Sequence, residues 1–310
     1  MNKGLITNLI AKVLISEAVL MLFPALVSVY YCEYNVAAVF FIVSLIALAV
    51  SIPISCIKQR NTEIFARDGF LIVALTWIVF SLVGALPFTL SGEVPNYVDA
   101  VFETVSGFTT TGSTILTNIE GLSKGLLMWR SFTHWVGGMG VLLFVMAIVP
   151  LTKRHSMHIM RAELTGATVG KLVPKSKATA LWLYGIYFVL TVTQIVLLWA
   201  GGMPLFDSLA TSFGTAGTGG FSVRNISVEA YNSPYAEYVI AIFMLIFSIN
   251  FNIYYYLAIK RFNDLKVNEE WKVFLAIVGL SVLIIALNLL SSGKSIEWSF
   301  RAALFQVASI

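Results

Sequence analysis

Two short stretches stand apart in a chain dominated by Leu, Ile, Val and Phe: GFTTTGST at Gly107–Thr114 and GTAGTGGFS at Gly214–Ser222. Threonine supplies a hydroxyl oxygen without charge, and glycine permits backbone torsions that let successive carbonyls point to one side. Rows of such oxygens can replace the hydration shell of a monovalent cation. Neither stretch holds an acidic residue, so the pattern favours passive passage over coupled transport. GTAGTGG is a poor phosphate loop, because it lacks the Lys and Ser/Thr that such a motif needs.

The elements that must position these stretches are membrane helices. Of 310 residues, 58% are hydrophobic and 12% charged, with mean hydropathy +0.86. A soluble domain carries about 25% charged residues, so this composition cannot cover a water-facing globule. The apolar runs are continuous rather than alternating, which predicts helices and not barrel strands. Expected spans are Leu9–Tyr31, Val36–Ile57, Gly69–Leu90, Leu127–Leu151, Leu181–Gly201, Tyr238–Ile259 and Val273–Leu290. The first also carries Lys12, Glu17 and Pro24, and it has no small-residue cleavage site of a signal peptide. GGMG at Gly137–Gly140 lies inside a span and reads as helix packing.

Lys and Arg gather in the loops around residues 58–67, 153–177 and 260–272. The positive-inside rule therefore puts these loops and the N-terminus in the cytoplasm. The net charge of +4 follows from that bias and implies no nucleic acid. The opposite side is rich in acids, among them Glu33, Glu93, Asp99, Glu103 and Asp207, which predicts an anionic mouth that concentrates cations. Cys32 and Cys56 flank one span, roughly 36 Å apart if helical. They cannot pair and read as packing residues.

The two Gly/Thr stretches belong to a repeat. An ungapped offset of 108 residues aligns Asp99 with Asp207, Thr110 with Thr218 and Gly112 with Gly220. Each unit runs span, short helical segment, Gly/Thr stretch, span. The short segments, Asp99–Phe108 and Asp207–Ala216, make helices only about 15 Å long. That is half a bilayer, so each hairpin must enter and return on one side. Irregular backbone at that depth is tolerated only inside protein or beside a water-filled cavity. A third unit begins at Val273–Leu290 with FRAALFQVASI at Phe300–Ile310, and a closed ring of four such units is the expected whole. The chain thus reads as part of a longer protein.

At these residues the sequence resembles the TrkH family of potassium-uptake membrane proteins, within the TrkH/TrkG/KtrB superfamily. The resemblance rests on TTTGST, WRSFTHWVGGMGVLLFVMAIVP at Trp129–Pro150, MRAELTG, FDSLATSFGTAGTGGFS and NFNIYYYLAIKR. It implies an all-α integral membrane protein of repeated helix–re-entrant pore loop–helix units around a central pore, preceded by two extra helices. Residues 1–68 would hold the leading helices, 69–152 the first repeat, 153–262 a cytoplasmic loop and the second repeat, and 263–310 the start of a third. It implies filter strands at Thr110, Thr111, Gly112 and Ser113, and at Thr218, Gly219, Gly220 and Phe221, with K+ as the transported ion and no cofactor. It further implies a homodimer in the cell (inner) membrane, gated by a TrkA-like cytoplasmic nucleotide-binding subunit. The basic loop Thr152–Lys177 is the expected contact with that subunit.

His134 stands four residues after Arg130 on one helical face, placing a hydrogen bond there ahead of a proton relay. His155 and His158 flank a basic loop and suit solvent or a partner better than a metal. Glu269 and Glu270 sit where a helix should begin. A proton- or sodium-coupled potassium symporter is the alternative transport reading. An enzyme would need clustered His, Asp or Glu at the cytoplasmic membrane face, which the sequence does not show.

Overall fold

A computed structural model describes residues 3–57, 66–138, 140, 176–258, 260 and 269–310. The described residues form helices, turns and connecting loops without a β-strand. They divide into two compact units, Met1–Tyr184 and Gly185–Ile310. Five stretches are long and apolar enough to cross a membrane: Lys3–Tyr30, Tyr34–Cys56, Arg67–Leu90, Leu181–Ala200 and Glu270–Ser291. The fold is that of an all-α, multi-pass membrane protein.

In the first unit, α1 (Lys3–Leu20), α2 (Leu22–Tyr30) and α3 (Tyr34–Cys56) make a leading hairpin. The first expected span is helical despite its polar residues, with a turn at Met21. Pro24 has no N–H for the Leu20 carbonyl, and α1 stops at that residue. Pro87 denies the Val83 carbonyl its partner in the same way, between α4 (Ala66–Gly84) and α5 (Leu86–Leu90). Lipid tails are as apolar as leucine, so polar bonds and close packing specify how such helices meet. Ser44 Oγ donates to the Ala18 carbonyl at 2.7 Å, and Asn8 Nδ2 donates to that of Ser55 at 2.8 Å. Cys32 and Cys56 are free, as expected, but both are exposed rather than packed. Cys32 sits in the α2–α3 turn at φ 60°.

Behind the first Gly/Thr stretch, α6 (Tyr97–Phe108) packs on α7 (Lys124–Gly138). Trp129 is fully buried as the hub of an aromatic cluster. Its ring centroid lies 5.9 Å from Phe108 and 6.2 Å from Phe40, and Phe80 lies 5.2 Å from Phe108. The indole N–H donates to the Gly84 carbonyl at 2.9 Å, giving the buried Trp its polar partner. The start of α7 is capped from the leading hairpin: the Glu33 carboxylate accepts from Lys124 N–H at 2.7 Å and Gly125 N–H at 3.0 Å.

The second unit holds most of α8 (Ser176–Ala200), then α9 (Leu205–Ala216), α10 (Pro234–Ser248), α11 (Phe251–Ala258), α12 (Glu270–Ser291) and α13 (Ile296–Ser309). Its core joins Leu198, Met203, Ile240 and Met244 to Leu304 and Phe305 of α13. Glu270 opens α12, where an acid favours the positive end of the helix dipole. The expected span Tyr238–Ile259 is broken, because Ile249 turns extended at ψ 140° between α10 and α11. The break frees the Ile246 carbonyl from its usual partner at residue 250. The Tyr254 hydroxyl takes that place at 2.6 Å. α13 begins at Ile296, ahead of the expected Phe300, because the Ser295 side chain caps it.

α7 ends at Gly138 and Gly140 stands at φ 75°, so GGMG closes this helix rather than lying inside it. Its packing reading holds at Gly137, where an added Cβ would overlap the Phe108 carbonyl. Backbone on both sides leaves no room to yield. Gly137→Ala should cost about 1–3 kcal/mol, whereas Gly279→Ala, with open space around it, should gain up to about 1 kcal/mol from helix propensity. Thermal unfolding of the purified whole gene product in detergent checks both directions.

Candidate functional site

The two helix–strand hairpins end their helices with the same backbone bonds. Both α6 and α9 are 12 residues long, and their boundaries differ by the offset of 108 found in the sequence. At the end of α6, Thr110 N–H donates to Gly107 O at 3.1 Å and Thr111 N–H to Ser106 O at 2.9 Å. At the end of α9, Thr218 N–H donates to Thr215 O at 2.8 Å and Gly219 N–H to Gly214 O at 3.1 Å. This pair of bonds is a Schellman termination, whose left-handed residue is normally glycine. Here it is threonine: Thr110 and Thr218 both have φ 56°. Two residues later Gly112 and Gly220 follow at φ 76° and φ 78°. A β-branched residue in the left-handed region costs about 1–3 kcal/mol and persists only where its surroundings hold it.

In the first hairpin the strand runs back along α6. Glu103 Oε1 accepts from Thr114 Oγ1 at 2.6 Å and from Ile115 N–H at 2.7 Å. Its other oxygen pairs with Arg130 Nε at 3.0 Å, with side chains 0% and 2% exposed. Arg130, His134 and Gly137 share one face of α7 at i, i+4 and i+7. His134 is fully buried on this face, beside the backbone of Ser106 in the last turn of α6. The three residues fix the last turn of α6 from behind. Thr109 Oγ1 turns to the Val105 carbonyl at 2.6 Å and meets Thr111 Oγ1 at 2.9 Å. Thr111 and Ser113 are exposed; Thr110 and Gly112 are partly buried.

The second strand returns along α9 through a different anchor. Arg224 reaches Asp207 Oδ2 with Nη2 at 3.0 Å and Nε at 3.2 Å, and the Tyr231 hydroxyl donates to the same oxygen at 2.8 Å. Burial, reinforced by the bond to Asp207, pushes the Tyr231 phenol well above its ordinary range, so it stays a donor at physiological pH. The Tyr231 hydrogen bond and Asp207 likewise hold the Arg224 guanidinium charged. Thr218 and Gly220 are exposed and Gly219 is half-buried. The Phe221 side chain is buried, and its carbonyl oxygen would stand 2.6 Å from a Cβ on Gly214.

The alignment of Asp99 with Asp207 does not carry a shared role. Leu116 stands where the offset would need the counterpart of Arg224, so Asp99 has no arginine there. The acidic face is also less anionic than its composition suggests. Arg130 and Arg224 neutralise Glu103 and Asp207, and Arg301 bridges Glu237 at 2.6 Å and Glu297 at 2.9 Å. Glu93 accepts from Ser123 N–H at 2.8 Å and so pins the loop ahead of α7. The anchoring roles of Glu103 and Asp207 were not visible in the sequence, although the spacing of Arg130 and His134 put those two residues on one helical face. Residues 152–175 of the basic loop, with His155, His158, Lys171 and Lys175, lie outside the described residues.

The two anchors should differ in weight. Removing one partner of a buried pair leaves an uncompensated charge, so Arg130→Gln should cost about 3–5 kcal/mol. Arg224 is 38% exposed while Asp207 is 5% exposed and keeps the Tyr231 hydroxyl as a donor, so Arg224→Gln should cost less than Arg130→Gln, about 1–3 kcal/mol. Thermal midpoints of the two variants in detergent check the order.

The TrkH cation transport protein model matches residues 34–290 of the chain. The Trk system potassium uptake protein TrkH of Salmonella typhimurium is 36% identical over 317 residues, covering 98% of this chain and 64% of that protein. The TrkG protein of Escherichia coli K12 is 31% identical over 86% of this chain and 55% of its own length. The crystal structure of the potassium transporter TrkH from Vibrio parahaemolyticus superposes with TM-score 0.85 at 32% identity, covering 100% of this chain and 64% of that one. The chain therefore spans about 64% of the length of these TrkH relatives. Match and superposition run through both hairpins: the chain belongs to the TrkH family of cation transport proteins.

Proposed function

We propose that the chain takes part in potassium uptake across the cell membrane, with the two Gly/Thr strands lining a channel-like pore. The observation that carries this reading is the repeated torsion pattern, Thr110–Gly112 and Thr218–Gly220. Strain installed twice, at equivalent positions, calls for a common purpose, and oriented carbonyls are what such torsions provide. The names of the relatives, potassium uptake proteins TrkH and TrkG, support the choice of ion. Thr110, Thr111, Gly112 and Ser113 would supply oxygens from one strand, and Thr218, Gly219, Gly220 and Phe221 from the other. Both half-helices aim their partially negative C-terminal ends toward the strands, which favours a cation.

The chain would act as a homodimer in the inner membrane with its N-terminus cytoplasmic. A TrkA-like nucleotide-binding subunit would meet the basic loop Thr152–Lys177 and gate the pore. The absence of acids from both strands favours passive conduction over proton- or sodium-coupled symport.

The test uses the whole gene product in liposomes. Rubidium uptake should follow the potassium gradient alone, and Gly112→Ser should weaken discrimination against sodium several-fold, because a side chain at φ 76° resists the torsion that aims the carbonyl. Identical sodium competition in mutant and wild type would remove Gly112 from the filter; uptake that demands a proton or sodium gradient would favour the symporter. Reversing the charge of Lys171, Lys175 and Lys177 together should reduce co-purification of the cytoplasmic subunit.

A further inference from the structure

Glu17 is the buried acid that the arrangement above does not use. It lies near the end of α1 and is 0% exposed. Among the described residues neither carboxyl oxygen has a hydrogen-bond partner. Its position is defined by Gly84 at the end of α4. A Cβ added there would stand 3.1 Å from Glu17 Oε1, 2.9 Å from Thr104 Cγ2 and 3.0 Å from Phe108 Cε2. Thr104 and Phe108 are one turn apart on α6, and Phe108 is its last residue before the strained Thr110. The carboxyl of α1 therefore reaches the end of the pore helix through the gap that Gly84 leaves open.

Among the described residues no counter-ion accompanies it. Lys12 is five residues earlier and so about 140° around the helix and roughly 7.5 Å along it. Lys3 is farther still, Arg67 and Asp68 lie at the opposite end of α4, and Arg130 is paired with Glu103. A lone carboxylate in such surroundings costs far more than the neutral acid.

We propose that Glu17 is an un-ionised carboxylic acid that positions the C-terminal turn of the pore helix, and through it the first strand, from behind. The leading helices would then set ion discrimination without touching the ion. This rests on the strand being a filter, and the measurements separate the two claims. Wild-type rubidium uptake and its competition by sodium test the filter. Infrared spectroscopy tests the acid independently of transport: a C=O stretch of an un-ionised carboxyl should be present in wild type at neutral pH and absent from Glu17→Gln.

Glu17→Gln, neutral and of the same size, should keep wild-type sodium competition and KM. Glu17→Ala, which opens a void behind Phe108, should shift the competition several-fold at unchanged membrane level. Gly84→Ala presses on the same three side chains from the other side and should shift it likewise, so it decides the matter if Glu17→Ala fails to insert. Absence of the infrared band overturns the proposal. So does Glu17→Gln behaving as Glu17→Ala, or wild-type competition in both alanine variants.

Discussion

Thr110 and Thr218 occupy a backbone region that a β-branched residue avoids, and everything around them holds them there. The Schellman bonds fix each threonine from the helix side. The return strand fixes it from the other, through Glu103 in one hairpin and Asp207 in the other. Neither anchor stands alone. Glu103 is oriented by Arg130, and Arg130 belongs to the face of α7 whose His134 and Gly137 fit the last turn of α6. Trp129 closes the back of that turn against Phe40 of α3 and Gly84 of α4. The bulk of the first unit is thus a mould for a few strained torsions. The chain uses threonine where glycine would relax the strain, which fits a demand for a side-chain oxygen at that point.

The sequence carried the repeat clearly. Two stretches matching at an offset of 108 residues marked the C-terminal ends of α6 and α9, Phe108 and Ala216, to the residue, while both helices begin two residues ahead of the expected Asp99 and Asp207. Gly and Thr in apolar surroundings are legible because nothing else explains them. Membrane segments were legible for the same reason, since the length of an apolar run reads directly as a helix. Other features were not, and the causes are physical. The break at Ile249 interrupts an apolar run without Pro or Gly, and it is tolerated because Tyr254, eight residues beyond Ile246, satisfies the freed carbonyl. A count of acids gave an anionic mouth, but charge composition says nothing of partners, and arginines distant in sequence neutralise Glu103 and Asp207. Asp99 and Asp207 align, yet among the described residues only Asp207 pairs with an arginine.

Glycine has two separate uses in this fold. At Gly112 and Gly220 it accommodates positive φ. At Gly137 and Gly84 it lets backbone or side chains of neighbouring helices approach closely, which helices in lipid need because hydrophobic burial offers them no preference among partners. A sequence pattern cannot distinguish the two uses; the neighbours can. Gly279, facing open space, has neither.

The two anchors also differ in what can reach them. The pair behind the first strand is sealed, with side chains 0% and 2% exposed, whereas Arg224 at the second is 38% exposed. Dissolved electrolyte screens a pair only where ions can approach within a Debye length, about 8 Å at physiological strength, without a wall of protein between. A rise in bathing salt therefore loosens the tether of the second strand and leaves that of the first unchanged. One strand is thus tethered by a bond indifferent to its medium and the other by a bond that registers it.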